Sequence, residues 1–171
     1  DDCVAALKKK TKGIDHIGKH TAAIYPIIFP DRLEILLSLP EGMKRYTVNV
    51  KAEELNKEIN IFRALLEKRT THQYKKNAKK VYSWLIQPLL KDLKNQDVDT
   101  LVFIPDGSLR TIPITALHDG KKFLIDQYAV ATTPSLTLTH PQPLPRDNLK
   151  ILVAGLSDGV QGFPPLPNVL S

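Results

Sequence analysis

Residues Thr100 to Ile104 read TLVFI and run straight into Pro105-Asp106-Gly107. A nearly unbroken apolar run has no face to offer to water. It describes a strand covered on both sides, the setting of a parallel sheet rather than of an open antiparallel one. Two amphipathic stretches precede it. Between Ala52 and Arg69, residues Leu55, Ile59, Phe62 and Leu66 recur at spacings of three and four and share one helical face. Glu53 and Glu54 stand in the first turn and Lys68 and Arg69 in the last, as the helix dipole favours. Between Tyr74 and Lys94, residues Tyr74, Ala78, Val81, Leu85, Leu89 and Leu93 form a second such face, with Pro88 inside. Proline removes a backbone donor there, so the spacing predicts a kinked or split helix. Helices leading into a buried strand predict an α/β layered fold with a partly parallel sheet.

The flanking segments fit that frame. Ala22 to Phe29 and Leu33 to Leu39 are apolar, Tyr46 to Val50 alternates, and Pro30-Asp31 and Pro40-Glu41-Gly42 turn the chain between them. This predicts a three-stranded antiparallel β meander. Downstream, Asp119-Gly120 fits a hairpin turn, and Tyr128 to Thr132 reads as a strand. Pro141 to Asp147 is a Pro-rich loop, and Leu149 to Ala154 is a further strand heading into Gly155. Residues 1–20 read as a Lys-rich helical or linker tail from an upstream region. Both ends of the sequence are expected to continue into a longer protein.

Composition bounds the function classes. No apolar run approaches the roughly 20 residues that cross a bilayer, and the N-terminus is no signal peptide, so a cytoplasmic location is expected. The single cysteine, Cys3, excludes an internal disulfide and a multi-thiolate metal site. The net charge of +6 is concentrated at Lys8, Lys9, Lys10 and Lys12, and at Lys75, Lys76, Lys79 and Lys80. Such a balance permits contact with nucleic acid or acidic partners. A solvated helix face and tail is the preferred reading, and direct nucleic-acid binding is not expected. Tyr74 and Tyr82 fall on the apolar side of their helix and offer no stacking platform.

No residue is singled out as catalytic, cofactor-binding or metal-binding. Cys3 lies in the tail, and pairing it with His16 or His20 as a nucleophile and base is disfavoured. His16 and His20 are four apart, but Gly13 and Gly18 interrupt that segment, so no metal site is predicted. His118 reads as a turn residue beside Asp119-Gly120, and His72 and His140 as solvated loop residues. Pro105-Asp106-Gly107 lacks the Gly-rich Lys-Ser/Thr pattern of a nucleotide loop and reads as a structural turn. Ser135 follows Pro134 without a Gly-x-Ser-x-Gly elbow. Gly155 to Gly159 follows a strand and is either part of a substrate groove or an exposed loop.

A series of short motifs carries a resemblance. It runs Leu85-Ile86-Gln87-Pro88-Leu89, Leu101-Val102-Phe103-Ile104-Pro105-Asp106-Gly107, Leu109, Ile112-Pro113-Ile114 and Ala116-Leu117. It continues with Leu124, Tyr128-Ala129-Val130, Pro134-Ser135-Leu136, Ile151 to Gly155 and Pro165-Leu166-Pro167. In this order the motifs resemble the CHAT domain over residues 22–171. Ile114 departs from the pattern, because the family usually has an aromatic there. The resemblance implies a caspase-like three-layer α/β/α sandwich of which residues 21–171 form the N-terminal portion. It implies a cysteine peptidase acting on protein or peptide substrates without a cofactor. The catalytic histidine and cysteine would follow later strands, beyond Ser171. A regulatory repeat domain of tetratricopeptide type or an RNA-guided effector complex is the implied partner. The alternative is a CHAT-like interaction or scaffold module that has lost its dyad.

Overall fold

The computed structural model describes residues 18, 20–68, 72–135, 158–159, 162 and 164–165. The chain divides into two compact units, Asp1–Pro141 and Gln142–Ser171. All of the elements below belong to the first. In the second, the described positions Asp158, Gly159, Gly162, Pro164 and Pro165 are exposed. Of the expected tail over 1–20 only residues 18 and 20 are described, and the Pro-rich loop and the strand Leu149 to Ala154 lie outside the described residues.

The chain opens with β1 (Thr21–Ile28), β2 (Leu33–Leu39) and β3 (Gly42–Val48), the predicted meander. Helix α1 (Ala52–Leu66) and helix α2 (Tyr74–Leu85) follow. Pro88 does split the second helical stretch. A 3₁₀ turn at Gln87–Leu89 contains it, and α3 (Leu90–Asn95) resumes beyond. The Ile86 amide still reaches Tyr82 O, but the next intact bond is the 3₁₀ contact from the Leu89 amide to Ile86 O at 2.9 Å. Then come β4 (Thr100–Phe103), three 3₁₀ turns, and β5 (Ala129–Thr132).

The sheet order is β3-β2-β1-β4-β5. The meander pairs are antiparallel, whereas β4 joins β1 and β5 joins β4 in parallel. The fold is therefore α/β, with a mixed five-stranded sheet and an N-terminal antiparallel meander. The described residues supply the sheet and one helical layer of the expected sandwich. Register explains the layering. Ala22 pairs with Leu101 and Ile24 with Phe103, so these four face the helices. There they join Leu33, Ile35 and Leu37, together with Leu55, Ile59 and Phe62 of α1 and Val81 and Leu85 of α2, in one core. Ile114, the departure from the family pattern, is also a core residue, only 3% exposed.

The second sheet face is buried too. Ala23 and Val102 form their own cluster there with Tyr25 and Ile104, and Leu36 is 2% exposed. Tyr25 carries the mark of that environment, since burial pushes its phenol up to about 12. On the same face sits one buried acid, Glu34. Arg32 Nε donates to it at 2.7 Å, Thr47 Oγ1 donates at 2.9 Å, and Arg45 stands at 3.7 Å. Burial raises the Glu34 carboxyl, but the bonds from Arg32 and Thr47 and the Arg45 and Arg32 charges outweigh it. They hold the group below its ordinary value of 4.5. A depressed carboxylate adds stability above its unfolded pKa and loses it as pH falls through the folded one. Glu34→Gln should therefore cost roughly 1 kcal/mol at neutral pH. Urea unfolding below about pH 4.5 should find the two proteins converging as Glu34 takes up its proton.

Candidate functional site

Because β1, β4 and β5 are parallel, their carboxyl ends meet at one edge of the sheet, where open α/β sheets place their ligands. The ladder continues one residue past β4 and β5. The Ile104 amide donates to Ile24 O at 3.0 Å and the Thr133 amide to Phe103 O at 2.9 Å. This sets where the segments after β4 and β5 leave the sheet.

After β4, Asp106 is extended and Gly107 turns left-handed, with φ of +51°. A Cβ on Gly107 would meet Ile28 Cδ1 at 3.4 Å, an ordinary contact, so conformation rather than space favours glycine here. The chain then enters the 3₁₀ turn Gly107–Thr111, which buries Leu109. Ser108 Oγ donates to Asn56 Oδ1 of α1 at 2.6 Å. Arg110 Nε donates to Pro105 O at 2.9 Å, and its guanidinium stands 3.9 Å from Asp106. The Pro-Asp-Gly segment is thus a structural turn tied to α1, its polar groups bonded within the loop.

After β5, the Thr133 hydroxyl donates to Ser135 O at 3.0 Å and accepts from the Ser135 amide at 3.4 Å. Pro134-Ser135 therefore sits in a turn closed by a hydroxyl.

Among the described residues, three histidines occur, His20, His72 and His118. His20 Nδ1 donates to Asp97 O at 2.9 Å, and His72 is exposed with its ring tilted against Tyr74. His118 is more than a turn residue, because it is only 7% exposed. Its Nδ1 accepts the Gly120 amide at 2.9 Å, and its ring meets Phe123 edge-on at 4.7 Å. Asp119 closes the same hairpin. Its carboxylate takes the amides of Lys122 and Lys121, and these bonds hold it below the usual carboxylate range. No group of three or more His, Cys, Asp or Glu side chains placed to hold a metal occurs among the described residues. Cys3, His16, His140 and residues 155–157 lie outside them. No helix among the described residues is long and apolar enough to cross a membrane.

The α2 lysines have unequal surroundings. Lys80 is bound to Glu58 at 2.9 Å and Glu54 at 3.1 Å and lies over the Trp84 ring. Lys75 lies over Phe123, and Lys79 reaches Gly120. The contacts of Asn56 with Ser108 and of α2 with the hairpin were invisible in the sequence. Each joins residues about fifty positions apart, and no local pattern signals them.

Fold and edge together define an α/β domain whose parallel strands β1, β4 and β5 end together at one edge of the sheet. Residues 75–171 match the family model of the CHAT domain. This is more than half of the chain, and the chain belongs to that family, a family of caspase-like peptidases. The matched region begins at Lys75, in the first turn of α2. Among curated proteins none matches the chain.

Proposed function

We propose that this chain is the N-terminal portion of a caspase-like cysteine peptidase. The observation that carries this reading is the CHAT match, which covers β4 and β5 of a sheet whose three parallel strands end at one edge. Hydrolysis of a peptide bond by this chemistry needs a thiolate to attack the carbonyl and an imidazole to take and return the proton. It also needs backbone amides to receive the oxyanion. In this proposal the cysteine and histidine follow strands beyond Ser171. The residues present here build one wall of the cleft, from the loops at Ile104–Thr111 and Thr133–Ser135. The substrate is a protein or peptide. The partner is a regulatory repeat domain or an RNA-guided effector complex.

The domain proposed here starts at residue 21, ahead of the matched segment. Support comes from β1, which sits between β2 and β4 and supplies the parallel neighbour on which β4 is laid. Removing the meander would open β4 along its whole length.

The test is proteolysis by the full-length protein, read as new N-termini in a denatured protein mixture. Cleavage that stops on alkylation with iodoacetamide, and on replacing the downstream cysteine by alanine, is expected. Cleavage that survives alkylation overturns the reading. So does a downstream sequence whose strands carry no histidine and cysteine, which leaves an interaction module instead.

A further inference from the structure

The hairpin at 118–123 brings a second set of lysines to α2. Lys75 Nζ lies 5.6 Å from the centre of the Phe123 ring. A Cβ built on Gly120 would stand 3.1 Å from Lys79 Nζ, so this ammonium lies against the turn. Lys121 and Lys122 are exposed in the same turn, and Lys76 is exposed beside Lys75. Five lysines from two distant stretches therefore form one basic surface.

The acids nearby have local partners, Lys80 for Glu54 and Glu58 and neutral backbone amides for Asp119 and Asp126, and the five lysines outnumber the two hairpin acids. Glu54 and Glu58 of α1 pair with Lys80. Asp119 accepts the amides of Lys121 and Lys122, and Asp126 accepts the amide of Phe123. No carboxylate among the described residues lies in ion-pair range of Lys75, Lys76, Lys79, Lys121 or Lys122. The charge is also placed against local preference. The first turn of α2 holds no acid and two lysines, although a helix start favours negative charge. Negative charge brought to this helix start would relieve that unfavourable placement.

Two details select among anions. Ile125, in the turn just after these lysines, is 54% exposed, the more exposed of the two exposed large apolar side chains among the described residues. Among the described residues, no Phe, Tyr or Trp ring beside these lysines is fully exposed for base stacking. Phe123 carries Lys75 and meets His118 edge-on, while Tyr82 is buried. The cations are all lysines, without the arginine fork that grips phosphate in two places. We infer that Lys75, Lys76, Lys79, Lys121, Lys122 and Ile125 form a docking surface for an acidic polypeptide segment bearing an apolar anchor side chain. The inference stands independently of peptidase activity.

The probe is a synthetic peptide of glutamates with one central leucine, titrated into the labelled full-length protein at physiological salt. Its companions are the same peptide with glycine for leucine and an oligouridylate of equal charge. Replacing Lys75, Lys79, Lys121 and Lys122 together by glutamine should weaken peptide binding by about tenfold or more. Lys91 and Lys94 replaced together by glutamine serve as the control and should change it little. Ile125→Ser should weaken the leucine peptide about threefold and leave the glycine peptide unaffected. Thermal melts of each variant, and a triple variant that keeps Lys79, separate lost binding from lost folding. The proposal is overturned if the leucine peptide does not bind, if the four-lysine variant binds it as the parent does, or if Ile125→Ser changes nothing. It is overturned in favour of a nucleic-acid surface if the oligouridylate binds more tightly than the peptide.

Discussion

Replacing Phe103 by alanine should destabilise the full-length protein by about 3–5 kcal/mol, the cost of emptying a well-packed aromatic site. Phe103 is completely buried. It lies on β4 between Ile24 of β1 and Thr132 of β5, facing the helices. Neighbours on two strands and a helical layer leave little room for collapse into the cavity, so the upper part of the range is expected. In a thermal melt this corresponds to a loss of roughly ten degrees. A loss below about 1 kcal/mol would mean that β4 is not the centre of the folded sheet. The consequence reaches the proposed cleft, because Phe103 O receives the Thr133 amide and thereby anchors the loop after β5.

The second large effect is expected on the opposite face of the same strand. Val102→Asp places a carboxylate where Ala23 is fully buried and Tyr25 and Ile104 pack alongside. Nothing in that cluster supplies a cation, so the charged form costs several kcal/mol. The penalty should grow as pH rises above the ordinary carboxylate range, because a protonated aspartate is easier to bury than a charged one. Ala131→Asp is the internal control. Ala131 is the register neighbour of Val102 on β5 but is exposed, so its change should stay within about 0.5 kcal/mol. Equal effects from both substitutions, measured by urea unfolding, would show that the second face is not covered at Val102.

Much of the architecture was legible because it follows from repeating patterns. The three-and-four spacing of Leu55, Ile59 and Phe62 marks a buried helical face, and all three are fully buried. The lack of polar alternation in Thr100 to Ile104 marked a strand enclosed on both faces. Pro88 marked the helix break because its ring nitrogen has no hydrogen to give. The limits of elements were less legible. The strand read at Tyr46 to Val50 starts earlier, at Gly42, because β3 pairs with β2 over its full length to the turn. Helix α1 ends at Leu66 rather than at Arg69, and the basic residue in its last turn is Arg63.

The sequence alone determined the class of fold and the family resemblance, since hydrophobic period, turn chemistry and motif order are local properties of the chain. Tertiary structure alone decided which polar groups meet. Glu34 between two arginines, Asn56 on Ser108, and Lys75 and Lys79 against the 118–123 hairpin are all joined by packing. Charge and hydrogen bonding act over a few ångströms of space, and no spacing along the chain encodes which distant residues that space will contain.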